Sequence, residues 1–292
     1  MKLGRKDYTI SVKTGTEANK AKFKKECVQG EIYYATDTGF FYVAEVTAGA
    51  NDATLSQFAA GFTNQYSVSF DGTDDYMGSL PIDRLGSSTW STTTAVSQSA
   101  WVKIISYANL DGVFGIGRNN NNGSYNTSYA GSVGGFHMYN SALYFYLGGN
   151  TGVGSVSATI NTGVWYLLTW TWDGTDGNIY VNDQLDSTFT HSSNGFNTNF
   201  SIWAGGGGRW NSYGNVQVDE VAVWDSEISL SNVQTIYGSG VPSDISSLSP
   251  LVWYRMGDGT EGGTGSDIYD MSGNSRANGK LFNTPTFSTN VP

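Results

Sequence analysis

A chain of 292 residues with 38 glycines, five prolines and 14% aromatic residues has room for one large β-rich domain with an appendage, or for two ordinary domains. Its charged fraction of 14% is too low for a disordered chain, and its single cysteine, Cys27, excludes an internal disulfide framework. The net charge of −10 is unevenly placed: residues 1–30 hold eight basic and three acidic groups, net +5, whereas the rest holds seven against 22, net −15, an acidic body that repels a nucleic-acid backbone. No apolar run reaches bilayer length and the first residues hold no apolar signal core, so neither membrane insertion nor a secretory leader is expected, and one cysteine is compatible with folding in a reducing cytoplasm.

In chain order, Tyr8 to Val12 alternates apolar and polar residues and predicts a short strand. Lys13 to Glu26 is polar, with spaced lysines that fit a solvated or docking face better than a nucleic-acid tail. Glu31 to Val43 sets two aromatic runs around Asp37-Thr38-Gly39 and predicts a hairpin. Residues 1–45 are therefore read as a small basic module, and 46–65, within an Ala-, Gly-, Thr- and Asn-rich stretch, as a linker. From residue 66 short strands dominate: Ser99–Ser106, Gly112–Gly117, Gly135–Tyr139, Leu143–Leu147, Trp165–Trp172, Asn178–Val181, Phe200–Ala204 and Val216–Trp224. Many short strands with Gly-rich turns and almost no helix predict an all-β sandwich or jelly roll. Arg118 to Ser128 is too polar to bury and predicts an exposed loop.

Val216 to Gly240 is the most informative stretch. Val216 and Val218 share one parity, Val221 and Val223 the other, which requires one extra residue and places a β-bulge at Asp219-Glu220. A short helix follows, capped by Ser229 or Ser231, with Leu230, Val233, Ile236 and Tyr237 on its apolar side and Gly238 as its left-handed stop.

This stretch resembles the closing strand and helix of laminin-G-like domains in the concanavalin A-like jelly-roll superfamily. Three further motifs are similar to that family's and lie in its order: Ser69-Phe70-Asp71-Gly72-Thr73-Asp74-Asp75-Tyr76, Ser99-Ala100-Trp101-Val102-Lys103, and Trp165 to Gly174 followed by Ile179-Tyr180-Val181-Asn182. The resemblance implies a concanavalin A-like sandwich over 66–292. Leu251 to Asp258 and Asp270 to Leu281 resemble the family's opening strands, which normally precede the Phe70 motif. Either the domain is circularly permuted or a truncated second copy begins; the short tail after Pro250 is too small for its own core, which favours permutation with segment 250–292 returning beside Phe70. Gly30 to Val43 resembles a module near the start of many bacteriophage structural proteins, and Trp253 to Gly257 with Pro285 to Pro292 is similar to a motif of marine cyanophage proteins.

The expectation that follows is a non-enzymatic virion protein, made in the host cytoplasm and displayed on the capsid or tail surface. It would attach to other virion proteins through residues 1–45, in multiple copies within a symmetric assembly, with the acidic body contacting host-surface glycans. The alternative is a carbohydrate-binding module of a non-viral cell-surface or secreted protein. Related glucanases carry E-x-D-x-E on one strand face; that motif is absent here, and His137 and His191 have no flanking residues that suggest a triad or a metal cluster. Carboxylates in a glycine turn suit a hard cation, and the family resemblance brings forward Asp71, Asp74 and Asp219 as ligands of a structural Ca2+; the other reading is that these acids cap turns. Asp270 and Asn274 form a second acid–amide turn. For glycan contact, Trp210, Asn211 and Tyr213 are the candidates, with Trp203 beside them, against the reading that tryptophans such as Trp101, Trp165 and Trp224 fill the core.

Overall fold

A computed structural model describes residues 12–15, 32–35, 41–45, 54–58, 62–79, 95–107, 111–118, 132–147, 152–191, 200–207, 212–259, 261–274 and 278–292. The chain forms two compact units, Met1–Thr63 and Asn64–Pro292.

In the first unit, β1 (Val12–Gly15), β2 (Ile32–Ala35), β3 (Phe41–Glu45) and β4 (Thr54–Phe58) form a sheet in that order. The aromatic hairpin pairs Ile32 with Val43 and Tyr33 with Tyr42. Of the expected strand at Tyr8–Val12 only Val12 is among the described residues; strand β1 runs on to Gly15 and pairs in parallel with β2. The stretch expected to be a linker contains β4, which pairs with β3 from Phe41↔Phe58 to Glu45↔Thr54. Its Thr and Phe residues support a strand once an edge is available, although its composition reads as a loop.

The second unit opens with β5 (Ser67–Asp71), β6 (Tyr76–Ser79), β7 (Val96–Ile104), β8 (Asp111–Arg118), β9 (Ser132–Tyr139) and β10 (Ala142–Leu147). It continues with β11 (Gly152–Ser155), β12 (Trp165–Trp172), β13 (Asp176–Val181), β14 (Gln184–Thr190), β15 (Phe200–Ala204), β16 (Gly206–Gly207), β17 (Ser212–Tyr213) and β18 (Asn215–Trp224). After the helix α1 (Leu230–Tyr237) come β19 (Val252–Tyr254), β20 (Asp267–Ile268), β21 (Gly279–Phe282) and β22 (Thr286–Ser288). Among the described residues these build two sheets. One runs β14-β13-β12-β7-β18-β5-β22, with β19 also on β18; the other runs β11-β10-β9-β8-β15-β6-β21-β20, with the β16–β17 hairpin beside β8. Among the described residues the second unit is an all-β sandwich of concanavalin A-like jelly-roll type with one α-helix.

The core lies between the sheets. Alternating residues of β12 (Leu168, Trp170, Trp172), β9 (Phe136, Met138) and β10 (Leu143, Phe145, Leu147) meet there and are buried. The opposite face of β12 and β7 is covered as well: Trp101 is 2% exposed and stacks on Tyr237 of α1 at 5.6 Å. Ser229 caps that helix by accepting from the Asn232 amide, and Gly238 ends it at φ +55°. The tail enters both sheets: β19 lies on β18, β22 on β5 and β21 on β6. The strand β14, unannounced by its polar sequence, follows a turn with Asn182 at φ +59° and forms a sheet edge, where solvent makes no demand for apolar residues. Residues 119–128 of the expected exposed loop lie outside the described residues.

Two glycines separate backbone conformation from packing. Gly205 has φ +74° and a Cβ built there comes within 2.1 Å of the Phe70 ring, whereas Gly163 has φ +78° with nothing within 4 Å. Gly163→Ala is expected to lose about 1–2 kcal/mol, the left-handed cost alone. Gly205→Ala adds an overpacking cost of roughly 1–3 kcal/mol. Denaturant melts of the two variants check this; equal losses would mean that Phe70 yields freely.

Candidate functional site

The turn between β5 and β6 is shaped by Gly72, at φ +77°, and by Asp71, whose Oδ1 accepts from the Thr73 amide at 2.7 Å. The chain thereby doubles back and presents Asp71, Asp74 and Asp75 with carboxylate oxygens all within 4.8 Å of one another. Asp71 and Asp74 are exposed; Asp75 is 4% exposed and its Oδ2 accepts from the Asp71 amide at 3.3 Å. Burial pushes the Asp75 carboxyl up from the usual range, and the charges of Asp71 and Asp74 push it further. The tail braces this turn, since Asn283 Nδ2 donates to the Asp74 carbonyl at 2.8 Å.

Aromatic groups stand beside the acids. Tyr76 stacks on Phe282 at 4.7 Å, with 9° between the planes, and lies 6.3 Å from Tyr213. The half-buried Tyr213 ring sits over Gly206: a Cβ there would come within 2.4 Å of Tyr213 Cδ1 and 2.9 Å of the Asp75 carbonyl. Of the residues expected to contact glycan, Tyr213 thus lies next to the acidic turn, whereas Trp210 and Asn211 fall outside the described residues. Trp203 is fully buried against the Gly115–Gly135 backbone and offers no ring to a ligand. Trp101 and Trp224 are core residues at 2% exposure, while Trp165 is half-buried, with Lys103 over its ring and its Nε1 donating to Asn290.

Asp219, expected to share a cation with Asp71 and Asp74, is elsewhere. Asn215, not Asp219, lies opposite Asp71, and Asp219 is four residues further along β18, opposite Trp101. The three-carboxylate group of the turn consists of Asp71, Asp74 and Asp75. The bulge itself is present: the β18–β7 register slips between Asp219 and Ala222, and Glu220 takes φ +48°. Both bulge carboxylates are turned into the protein. Asp219 is fully buried, its Oδ1 accepting from the Glu220 amide at 2.8 Å and its Oδ2 from Asn64 Nδ2 at 2.9 Å. Glu220 accepts from Trp253 Nε1 at 2.5 Å and from Arg255 Nε at 3.1 Å. Asp258 accepts the amides of Gln65 and Tyr66 and lies 3.9 Å from Arg255. Burial raises the Asp219 carboxyl well above its usual value, with help from the Glu220 charge, and lifts Glu220 to about 7 against the pull of Arg255 and Trp253. This network ties the bulge to the entering strand and to the tail. Asp270 and Asn274 are ties of the same kind, accepting from the Trp253 amide and donating to the Pro250 and Leu251 carbonyls respectively.

His137 is fully buried among the rings of Tyr146 and Trp203, and burial lowers the pKa of His191.

Residues 71–234 match the laminin-G family described as the concanavalin A-like lectin/glucanases superfamily. The chain is similar to a candidate carbohydrate-binding protein from Bacteroides ovatus, with TM-score 0.56 and 18% identity over 90% of this chain and 70% of that one. It is also similar to a heptameric SAP-like pentraxin from Limulus polyphemus, with TM-score 0.43 and 17% identity over 60% and 82% of the two chains. A Trypanosoma rangeli sialidase bound to sialic acid follows, at 0.42 and 14% over 73% and 32%. At 18% identity the likeness to the Bacteroides ovatus protein is one of fold. No curated protein sequence matches the chain.

Proposed function

We propose that this chain, which belongs to the concanavalin A-like lectin/glucanases superfamily, is a non-enzymatic glycan-binding protein displayed on a bacteriophage particle. The observation that carries the glycan-binding reading is the acidic turn itself: three carboxylates within 4.8 Å of one another, beside the Tyr213 ring, on a lectin-like sandwich. Oxygen donors of this kind suit Ca2+, and the repulsion from Asp71 and Asp74, which adds to burial in raising Asp75, is what a divalent cation relieves. Asp71, Asp74 and Asp75 would hold the ion, and Tyr213 supplies an aromatic face for a sugar ring. The virion reading draws its support from the phage-like motif between Gly30 and Val43, and from the split between a basic first segment and an acidic body. The first unit would attach to the particle and leave the second facing the host.

Two measurements test this. A glycan array probed with the full chain should show calcium-dependent binding that chelator abolishes and that Asp74→Asn reduces. Thermal melts should show the parent losing about 5–10 °C on chelation, since a cation at a hundredfold excess over Kd stabilises by about 2.7 kcal/mol. Asp71→Asn and Asp74→Asn should match the chelated parent even in calcium. A parent unmoved by chelator leaves these acids as turn caps only. Antibody labelling of intact particles checks the virion assignment, and particles that bear no label would refute it.

A further inference from the structure

The second unit has a further cavity of about 250 Å3 in the tail, lined by Glu261, Thr264, Gly265, Ser266, Asp267 and Tyr269. We propose that it is a second glycan subsite that takes one neutral, hydroxyl-rich sugar ring; this rests on the glycan-binding reading above and extends it to a place that reading does not use.

Size, chemistry and rigidity converge on that ligand class. The cavity is smaller than the roughly 300–1,000 Å3 of drug-sized ligand pockets, which suits a single ring. Of its two carboxylates, Glu261 is held on the Gly257 amide and Asp267 is exposed, and an ionised carboxylate only accepts hydrogen bonds. A ligand that donates, as sugar hydroxyls do, therefore fits Asp267, and with two carboxylates against the single Lys280 cation opposite Asp267 an anionic sugar is disfavoured. Tyr269, 37% exposed, adds an aromatic face that a sugar ring can cover.

The lining is held before any ligand arrives. Glu261 Oε1 accepts from the Gly257 amide at 3.1 Å, and Thr264 Oγ1 donates to the Glu261 carbonyl at 2.8 Å. Asp267 lies opposite Lys280, and the Ser266 carbonyl accepts from Leu281 at 2.7 Å, which fastens the pocket wall to β21. Preorganisation of this kind lowers the cost of binding a small polar ligand. The same strand carries Phe282, stacked on Tyr76 beside the acidic turn. Two strand spacings, roughly 10 Å, separate β20 from β6, so one oligosaccharide can reach from the turn to the pocket.

The test is a titration of the isotope-labelled full chain, read by amide chemical shifts. The probes are the methyl glycosides of glucose, galactose, mannose and N-acetylglucosamine, with sialic acid as the anionic comparison. At least one neutral glycoside should move the amides of Gly262, Gly263 and Gly265, with or without chelator, and sialic acid should not. Tyr269→Ala and Asp267→Asn should each weaken that response about tenfold or more, as truncating an anchor does. Movement of the Gly214 amide beside Tyr213, with Gly262 to Gly265 still, overturns this subsite and leaves the main reading standing. Stillness of both sets overturns both. Equal responses in the parent and the two variants assign the shifts to nonspecific contact and also overturn the subsite.

Discussion

Removing residues 250–292 is expected to abolish cooperative unfolding of the body. The tail adds no separate layer; it supplies β19 to the second half of β18, β22 to the free side of β5, and β21 to β6. Its Leu251, Val252, Tyr254, Met256, Ile268 and Leu281 are part of the shared core. At about 1.5–3 kcal/mol for each buried side chain, their loss comes to roughly 9–18 kcal/mol, as large as the entire 5–15 kcal/mol net stability of a typical domain. Truncation also strips three strand edges at once, which invites aggregation. The truncated chain should therefore show no sigmoidal melt by circular dichroism. A transition near the parent's temperature would mean that the tail is dispensable and the two sheets are complete without it.

Glu220→Ala is expected to be the most damaging single substitution in the bulge, lowering the melting temperature by about 6–20 °C. The carboxylate answers two buried donors, Trp253 Nε1 and Arg255 Nε, and the Arg255 side chain is only 13% exposed. Removing one partner of a buried ion pair typically costs about 3–5 kcal/mol, and each kcal/mol is worth about 2–4 °C in a domain of this size. Glu220→Gln keeps an acceptor for one of the two donors, which bond different carboxylate oxygens, and should melt closer to the parent than Glu220→Ala. It should also change the pH profile. The folded Glu220 carboxyl is raised to about 7 from an ordinary value of 4.5, so between those limits the native chain binds more protons than the unfolded one. Stability must then fall as pH rises through that window, and the raised Asp219 and Asp258 act in the same direction. Asp173, held low by the amides of Asp176 and Thr175, opposes this only below about pH 4, and His191, lowered by burial, is a single opposing group below about pH 6.5. Parent melts should be higher at pH 5 than at pH 8, with a smaller gap in Glu220→Gln. A parent that gains stability from pH 5 to pH 8 would contradict the burial argument.

Three groups at the bulge also explain why Asp219 is not where the family resemblance led. An acid in a strand is read from sequence as facing solvent or a ligand, because isolated buried charges are costly. Here the cost is met by Asn64, by the Glu220 amide and by the guanidinium of Arg255 next door. Two of those groups lie 155 and 35 residues from their carboxylate partners. The carboxylate that does join Asp71 and Asp74, Asp75, stood in the same motif.

What the sequence by itself determined is local and periodic. The parity switch in β18 is legible because side chains alternate strictly in a strand, so one inserted residue must appear as a change of phase between Val218 and Val221. The Ser229 cap and the Gly238 stop follow from hydrogen-bonding and φ requirements satisfied within one helical turn. The hairpin pairing of Tyr33 with Tyr42 and the eight central strands of the body likewise announce themselves through apolar and aromatic runs. Only the tertiary structure decided which edges these strands share. The tail's motifs give no register, and their places beside β5, β6 and β18 depend on edges created by residues some 30 to 220 positions away. The rim that joins Asp75, Tyr76, Tyr213 and Phe282 is assembled the same way, from turns whose own sequences specify their conformation and say nothing about their neighbours. Backbone geometry is set by a few adjacent residues, whereas a site is set by the packing of the whole sandwich.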